Sequence, residues 1–423
     1  MSQIAKTLFL RGLRGLRIGS LELVTRTERW EFGDPGSSLR ATIAVNDERF
    51  FKRALFGSDV AIGESWMDGD WSSPDLLSVV RLAVRNMNAV EKQNWAVSAL
   101  TRAFDVIRHR LRKNSITGSR KNIQAHYDLS NDFFQLFLDP SMMYSCGYYE
   151  SAGDSLETAQ FNKLDRICRK LRLGPQDHVL EIGTGWGGFA EHAIRHYGCR
   201  VTSTTISDEQ YAYACNRLGD RAELLKQDYR LLRGQYDKIV SIEMFEAVGL
   251  EFYDEFFGAC DRLLKPGGSI LIQTITMNEK KFPVYQRRSD WIQKYIFPGS
   301  ELASISEILH SLARATSLSL HDLEDIGTHY ARTLASWRER FNSALTEVRG
   351  LGFDARFIRM WDYYLAYCEG AFLERHVGDA QILLVKNGAP ATMFNEPWLE
   401  GHAFDAGQLA SLRPMARSAA ANR

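Results

Sequence analysis

Residues 178–188 read HVLEIGTGWGG. An apolar strand runs directly into a loop holding Gly183, Gly185, Gly187 and Gly188, and a helical pattern follows. Glycines in such a loop permit positive φ and let backbone N–H groups approach a ligand closely. From 176 to about 277 the same alternation repeats. Strands are expected at HVLEIG, RVTSTTI, AELLKQD, YDKIVSIEMF and SILIQTIT, with amphipathic helices between them. That order predicts an α/β fold with a parallel, doubly wound sheet. A helical, aromatic-rich insertion is expected over roughly 280–315. HDLEDIG and QILLVKN read as the last two strands, with the helices of 331–375 between them.

The glycine spacing alone is ambiguous, because Gly183, Gly185 and Gly188 also satisfy the dinucleotide pattern G-x-G-x-x-G. Context separates the readings. A dinucleotide site wants an acid at the tip of the second strand to hold a ribose diol. Here that strand ends Thr204-Thr205-Ile206-Ser207. Glu181 lies just before the first glycine, and Gln227-Asp228 ends the third strand, where an adenine amine would lie. With Leu264-Lys265-Pro266-Gly267-Gly268 leading into the fifth strand, the ensemble resembles the class I S-adenosylmethionine (SAM)-dependent methyltransferase domain, a Rossmann-like sheet.

Four segments are expected: a small N-terminal α+β domain (1–90), a basic helical linker (91–122), the SAM-dependent methyltransferase domain (123–390) and a C-terminal tail (391–423). ELVTRTERWEF and LRATIAVND are strand-like, while FFKRALFG and DLLSVVRLAV are helix-like. Lysine plus arginine and aspartate plus glutamate both total 52, so the net charge is zero and a global drive toward nucleic acid is unsupported. The linker is locally cationic: Arg102, Arg108, His109, Arg110, Arg112, Lys113, Arg120 and Lys121 face only Asp105. It reads as a solvated helix face or as a docking surface for anionic lipid head groups. The six cysteines show no CxxC pair or zinc spacing, which fits a reducing compartment and no metal. No apolar run is long enough to span a bilayer, so a cytoplasmic protein, peripheral on the inner face of the membrane, is expected.

Several further motifs occur in order: Gln124-Ala125-His126-Tyr127-Asp128, Tyr144-Ser145-Cys146, Gly185-Trp186-Gly187-Gly188, Ser241-Ile242-Glu243-Met244-Phe245-Glu246-Ala247-Val248-Gly249 and Tyr295-Ile296-Phe297-Pro298-Gly299. Together they resemble cyclopropane-fatty-acyl-phospholipid synthases and the related mycolic-acid methyltransferases, over about 120–388. Gly63-Glu64-Ser65-Trp66-Met67-Asp68-Gly69 resembles the extra N-terminal domain of the phospholipid-acting members. The resemblance implies methyl transfer from SAM to the cis double bond of an unsaturated phospholipid acyl chain. Bicarbonate then takes a proton from the new methyl and the ring closes. An alkene is a weak nucleophile, so positioning, a dry pocket and aromatic walls that tolerate a cation are required.

Carried over by motif, the resemblance implies that Cys146 contacts bicarbonate through its backbone N–H. Glu246 orients the anion, Ile275 offers a backbone N–H and Tyr330 donates its phenol. For SAM it implies Tyr144, Ser145, Gly183, Gly185, Gly187, Gln210 and Asp228, with Glu181 beneath the loop. One position departs from the pattern: Gln273 stands where cyclopropane-forming members have a bicarbonate-binding histidine. Glutamine hydrogen-bonds but does not titrate. The alternatives are therefore a methylene- or methyl-branched product, or a lipid- or SAM-binding protein without turnover. A homodimer is compatible with the sequence. Taken singly, Cys146 and Tyr330 read as packing residues, and Phe353, Phe357, Trp361, Tyr364 and Tyr367 as a core stripe that could line an acyl channel.

Overall fold

The computed structural model describes residues 2–57, 59–93, 129–287 and 290–389. The cationic residues 102–121, the motif at 124–128 and the tail from 390 lie outside the described residues.

The N-terminal part is a four-stranded sheet of order β2-β1-β3-β4 with helices around it. Its elements are α1 (Ser2–Leu13), β1 (Ser20–Val24), β2 (Arg29–Gly33), β3 (Arg40–Val45), α2 (Arg49–Phe56), α3 (Asp59–Met67), β4 (Trp71–Ser72) and α4 (Leu76–Gln93). The stretch ELVTRTERWEF forms two strands rather than one. Thr25 Oγ1 accepts from the Glu28 N–H at 3.0 Å and closes a turn between them. The first helix was not legible as such, because its apolar face is short. Phe9 nevertheless packs edge-on to Phe50 and Phe51, at 5.4 and 5.9 Å. The boundary expected at residue 90 falls inside α4.

The larger part follows the expected alternation. It comprises α5 (Leu156–Leu171), β5 (His178–Ile182), α6 (Gly188–Tyr197), β6 (Arg200–Thr204), α7 (Asp208–Leu218), β7 (Glu223–Leu225), β8 (Tyr236–Ile242), α8 (Tyr253–Leu263) and β9 (Leu264–Met277). Then come α9 (Ile305–Ala315), β10 (Leu318–Asp325), α10 (Gly327–Ser343), α11 (Ala355–Leu373) and β11 (Val377–Lys386). The seven strands lie in the order β10-β11-β9-β8-β5-β6-β7. β9, β8, β5, β6 and β7 run parallel, and β11 is antiparallel to β9 and β10. Strands covered on both faces read as near-continuous apolar runs, as SILIQTIT and QILLVK do. The strand order reverses between β5 and β8, so the carboxyl ends of β5, β8 and β9 open on one crevice, the place where such sheets bind ligands.

One apolar cluster runs from the N-terminal sheet through α11 to the 133–148 segment. At its junction the Arg359 guanidinium lies 4.2 Å over the Trp66 ring, and Trp66 Nε1 donates to the Arg359 carbonyl at 2.9 Å. Glu374 accepts from Arg81 at 2.7 Å and from Arg85 at 2.6 Å. The N-terminal part is thus packed onto the helices that cover the crevice. No helix among the described residues is long and apolar enough to cross a membrane.

Candidate active site

The loop after β5 takes the conformation its glycines permit: Gly183, Gly185 and Gly187 have φ of 102°, 51° and 83°. A Cβ on Gly185 would meet nothing within 4 Å, whereas one on Gly183 would lie 3.0 Å from Met244. The loop is therefore pressed against the β8 exit on one side and open on the other. Glu181, buried beneath it, accepts from Ser203 Oγ at 2.6 Å. Burial pushes its carboxyl up to about 8. Gln210 Oε1 accepts from Thr205 Oγ1 at 3.1 Å. Asp228 caps the turn after β7 and accepts from Arg230 Nε and Nη2 at 2.8 and 2.7 Å, so it is braced by a side chain that sequence reasoning had not included.

All these residues except Ser203 and Gly187 line one cavity of about 1460 Å³. Ligand pockets commonly hold roughly 300–1,000 Å³, so this one has room for two ligands. One end holds Gly183, Gly185, Gln210 and Asp228. The other runs between Leu55, Val80, Val84 and Met87 of the N-terminal part and Tyr363, Tyr367 and Phe372 of α11. Of the expected aromatic stripe, Tyr364 and Tyr367 line the cavity. Phe353 and Phe357 instead stack on each other at 4.0 Å, and Trp361 packs on Phe133 at 4.8 Å, inside the core.

Between the two ends lies the segment Tyr144-Ser145-Cys146. Helix α5 pins it: Gln160 Nε2 donates to the Ser145 carbonyl at 2.8 Å and Lys163 Nζ donates to Ser145 Oγ at 2.7 Å. The Tyr144 hydroxyl donates to that of Tyr364 at 2.9 Å, and its ring lies 5.2 Å from Trp337. The Cys146 thiol is buried and pushed well up by burial and by Asp379, so it stays a neutral thiol.

The polar centre is built around a residue the sequence reading quoted but did not assign. Glu243, directly after β8, accepts from the Cys146 N–H at 2.8 Å and Gln273 Nε2 at 2.9 Å through Oε1, and from the Tyr330 hydroxyl at 2.6 Å through Oε2. Next to it, Glu246 Oε1 accepts from the Ile275 N–H at 2.5 Å and Thr274 Oγ1 at 2.9 Å. Glu246 Oε2 has no hydrogen-bond partner among the described residues. Burial and the Glu243 charge push Glu246 up to about 7. Asp379, opposite Ile275 in the β9–β11 register, is buried and pushed well up by burial and by Glu243. It receives Gln273 Nε2 at 3.1 Å. Burial lowers Lys163 to about 8, while Glu243, Cys146, Asp139 and Asp379 hold its proton on.

The structure thus brings Cys146, Glu246, Gln273, Ile275 and Tyr330 together, as the resemblance implied. Their donors, however, are turned to two carboxylates of the chain. The Cys146 N–H, Gln273 and Tyr330 converge on Glu243, and the Ile275 N–H goes to Glu246. A bicarbonate in that place does not fit these residues, because the Glu243 carboxylate already fills it. Glu243, Asp379 and Lys163 were missed. A carboxylate at the carboxyl end of a buried strand was a usable signal for Glu243, and the acid opening VGDAQILLVK for Asp379. Lys163 sits in an ordinary amphipathic helix and gave none.

A glycine loop at the switch point of a parallel sheet, backed by a buried acid and facing an anionic pocket, defines a SAM-dependent methyltransferase. Residues 114–382 match the mycolic acid cyclopropane synthetase family. The chain is 39% identical to the cyclopropane-fatty-acyl-phospholipid synthase of Escherichia coli over 83% of this chain and 90% of that protein. It is 38% identical to the tuberculostearic acid methyltransferase UfaA1 of Mycobacterium tuberculosis, over 78% of this chain and 80% of that protein. Among solved structures, mycolic acid cyclopropane synthase CmaA1 complexed with SAH and CTAB is 31% identical with a TM-score of 0.59, over 63% of this chain and 98% of that one. The chain belongs to the mycolic acid cyclopropane synthetase family and is a SAM-dependent C-methyltransferase.

Proposed function

We propose that the enzyme methylates the cis double bond of an unsaturated acyl chain in a membrane phospholipid and closes the product to a cyclopropane. The observation that carries this reading is the single cavity joining the glycine loop to an apolar channel past the buried carboxylates. The far end of the channel supports a phospholipid rather than a free small substrate. Phe56, Met87 and Val284 are exposed there, beside Lys280, Lys281 and Arg287. Such an apolar rim with cations suits a peripheral protein that draws an acyl chain from the cytoplasmic leaflet while phosphate stays at the lip.

SAM supplies an electrophilic methyl. Gly183 and Gly185 would cradle it, Gln210 and Asp228 would hold its nucleoside, Tyr144 and Ser145 would flank its reactive end, and Glu181 would complement its charge; Gly187 instead faces Leu218 and Ala214 outside the cavity lining. Tyr144, Tyr330 and Tyr364 line the cavity between its two ends and would favour a cation formed there. An acyl chain filling the apolar channel would leave little room for water, which would protect the cation from hydroxylation.

A second reading, a methylene-branched product, is favoured by Gln273, which cannot titrate where the resemblance implies a histidine. Both products follow from one methylated cation. Labelled methyl from SAM should enter lipid from vesicles with cis-monounsaturated chains and not from fully saturated ones. Equal labelling of both, or labelling of head groups only, would sink the reading.

A further inference from the structure

We propose that the Glu243 carboxylate itself fills the anion site and is the proton acceptor of the reaction, so that turnover needs no bicarbonate. The inference rests on the acyl-methylation reading and deepens it.

Three donors from three separate segments converge on this one side chain: the Cys146 N–H from the loop before α5, Gln273 from β9 and Tyr330 from α10. Such convergence on one buried carboxylate is the geometry of an anion-binding site, here satisfied from within the chain. The backbone supports the same conclusion. Glu243 has φ of 47°, a left-handed conformation that glycine adopts freely and a long side chain seldom does. Strain of this kind persists where its surroundings impose it, and it clusters at active sites. The turn aims the carboxylate back between β9 and the Cys146 loop, and the Glu243 N–H is tied to the Gln273 carbonyl at 2.8 Å.

Gln273 fits a permanent acceptor. Gln381 Nε2 donates to Gln273 Oε1 at 3.1 Å, which turns the Gln273 amide NH₂ toward Glu243 and Asp379. An amide held that way donates at every pH, which suits a carboxylate that never leaves. Burial raises both carboxyls, Asp379 and Glu243; the three donors on Glu243 favour its ionised form, whereas the Asp379 carboxylate is reached by the Gln273 amide. Lys163 sits behind Ser145 as the buried counter-charge. Glu243, Glu246 and Tyr330 all line the cavity beside Gly183 and Tyr144, so the acceptor faces the space next to the glycine loop.

The step balances without another reactant. The alkene π pair forms the new C–C bond as the methyl leaves sulfur, and the cation rests on the neighbouring acyl carbon. A proton from the transferred methyl passes to the Glu243 carboxylate. The electron pair of that C–H bond closes the ring, or forms a methylene double bond after a 1,2-hydride shift. Glu243 is left neutral and returns the proton to solvent when the products leave.

The test uses the full chain, vesicles with cis-monounsaturated phospholipid and methyl-labelled SAM, in CO₂-free buffer with and without added bicarbonate. Wild type should change by less than about twofold on addition. E243Q should fall by at least about 100-fold, the scale of a lost general base, with no recovery, because the amide still fills the site. E243G opens the site and suits the positive φ. It should fall similarly without bicarbonate and recover at least about tenfold with it. SAM binding measured by calorimetry should stay within about threefold of wild type in both variants. Strong bicarbonate stimulation of wild type, an active E243Q, or an inactive E243G that binds SAM and is not rescued would each overturn the inference. No label in lipid from wild type under any condition would instead overturn the underlying function.

Discussion

Replacing Tyr330 by phenylalanine isolates one contact of the central carboxylate. The Tyr330 hydroxyl donates to Glu243 Oε2 at 2.6 Å, and both side chains are buried. The ring also stacks on Phe372 at 4.5 Å, which phenylalanine would preserve. A hydrogen bond to a charged buried acceptor contributes about 1.5–3 kcal/mol, which corresponds to about 10- to 150-fold in rate. Burial raises the Glu243 carboxyl and the Tyr330 hydrogen bond lowers it. Removing the hydroxyl should therefore raise the Glu243 pKa further and move the acid limb of the kcat profile to higher pH. The assay is single-turnover methyl transfer from labelled SAM to vesicle lipid across pH 5–9, with thermal melts alongside. A loss below about threefold with an unmoved acid limb would refute the reasoning. So would a rate loss matched by an equal loss of SAM affinity, since Tyr330 would then serve binding alone.

Cys146→Ala should keep methyl transfer within about threefold of wild type, because the backbone N–H rather than the thiol donates to Glu243; its melting point should fall by the equivalent of about 1 kcal/mol for the lost buried sulfur, and a loss of activity of about 100-fold would restore a role to the thiol. Glu181, pushed up to about 8 by burial, is protonated at pH 7 in the free enzyme. A bound sulfonium should favour its ionised form, so SAM binding at pH 7 should release close to one proton and tighten as pH rises from about 6 to 8; calorimetry in buffers of different ionisation enthalpy would read this, and buffer-independent heats would contradict it. Gly63→Ala places a Cβ 2.4 Å from the Trp291 ring. Overpacking of that kind costs about 1–3 kcal/mol, so the melting point should fall; an unchanged one would mean that Gly63 of α3 does not pack against the short helix Trp291–Tyr295.

The parallel sheet was legible because β5, β8 and β9 are buried on both faces and announce themselves as apolar runs, with a glycine loop marking the binding edge. Element lengths were less so. β9 begins at Leu264 because LKPGG pairs through its backbone, which a search for apolar runs does not detect. The helix Ser2–Leu13 was hidden because its apolar run is short. At the site, motif position pointed to Cys146, Gln273, Ile275 and Tyr330, which lie side by side in the structure. It could not say what they donate to, since that depends on a φ of 47° at Glu243 that no spacing encodes. Asp379 and Lys163 came from elements 216 residues apart that meet only through the β9–β11 pairing and the pinning of Ser145 by α5.

The most direct test of the account is the deuterium count of lipid made with SAM carrying a fully deuterated methyl. Transfer to the acyl double bond followed by removal of a proton from that methyl leaves two deuterons on the new carbon. This holds whether the ring closes or a methylene forms, and proton and carbon NMR would separate those two. The account predicts two deuterons, in bicarbonate-free buffer. Three retained deuterons would mean that the proton leaves from the acyl chain instead, which would contradict the placement of the acceptor at the methyl carbon.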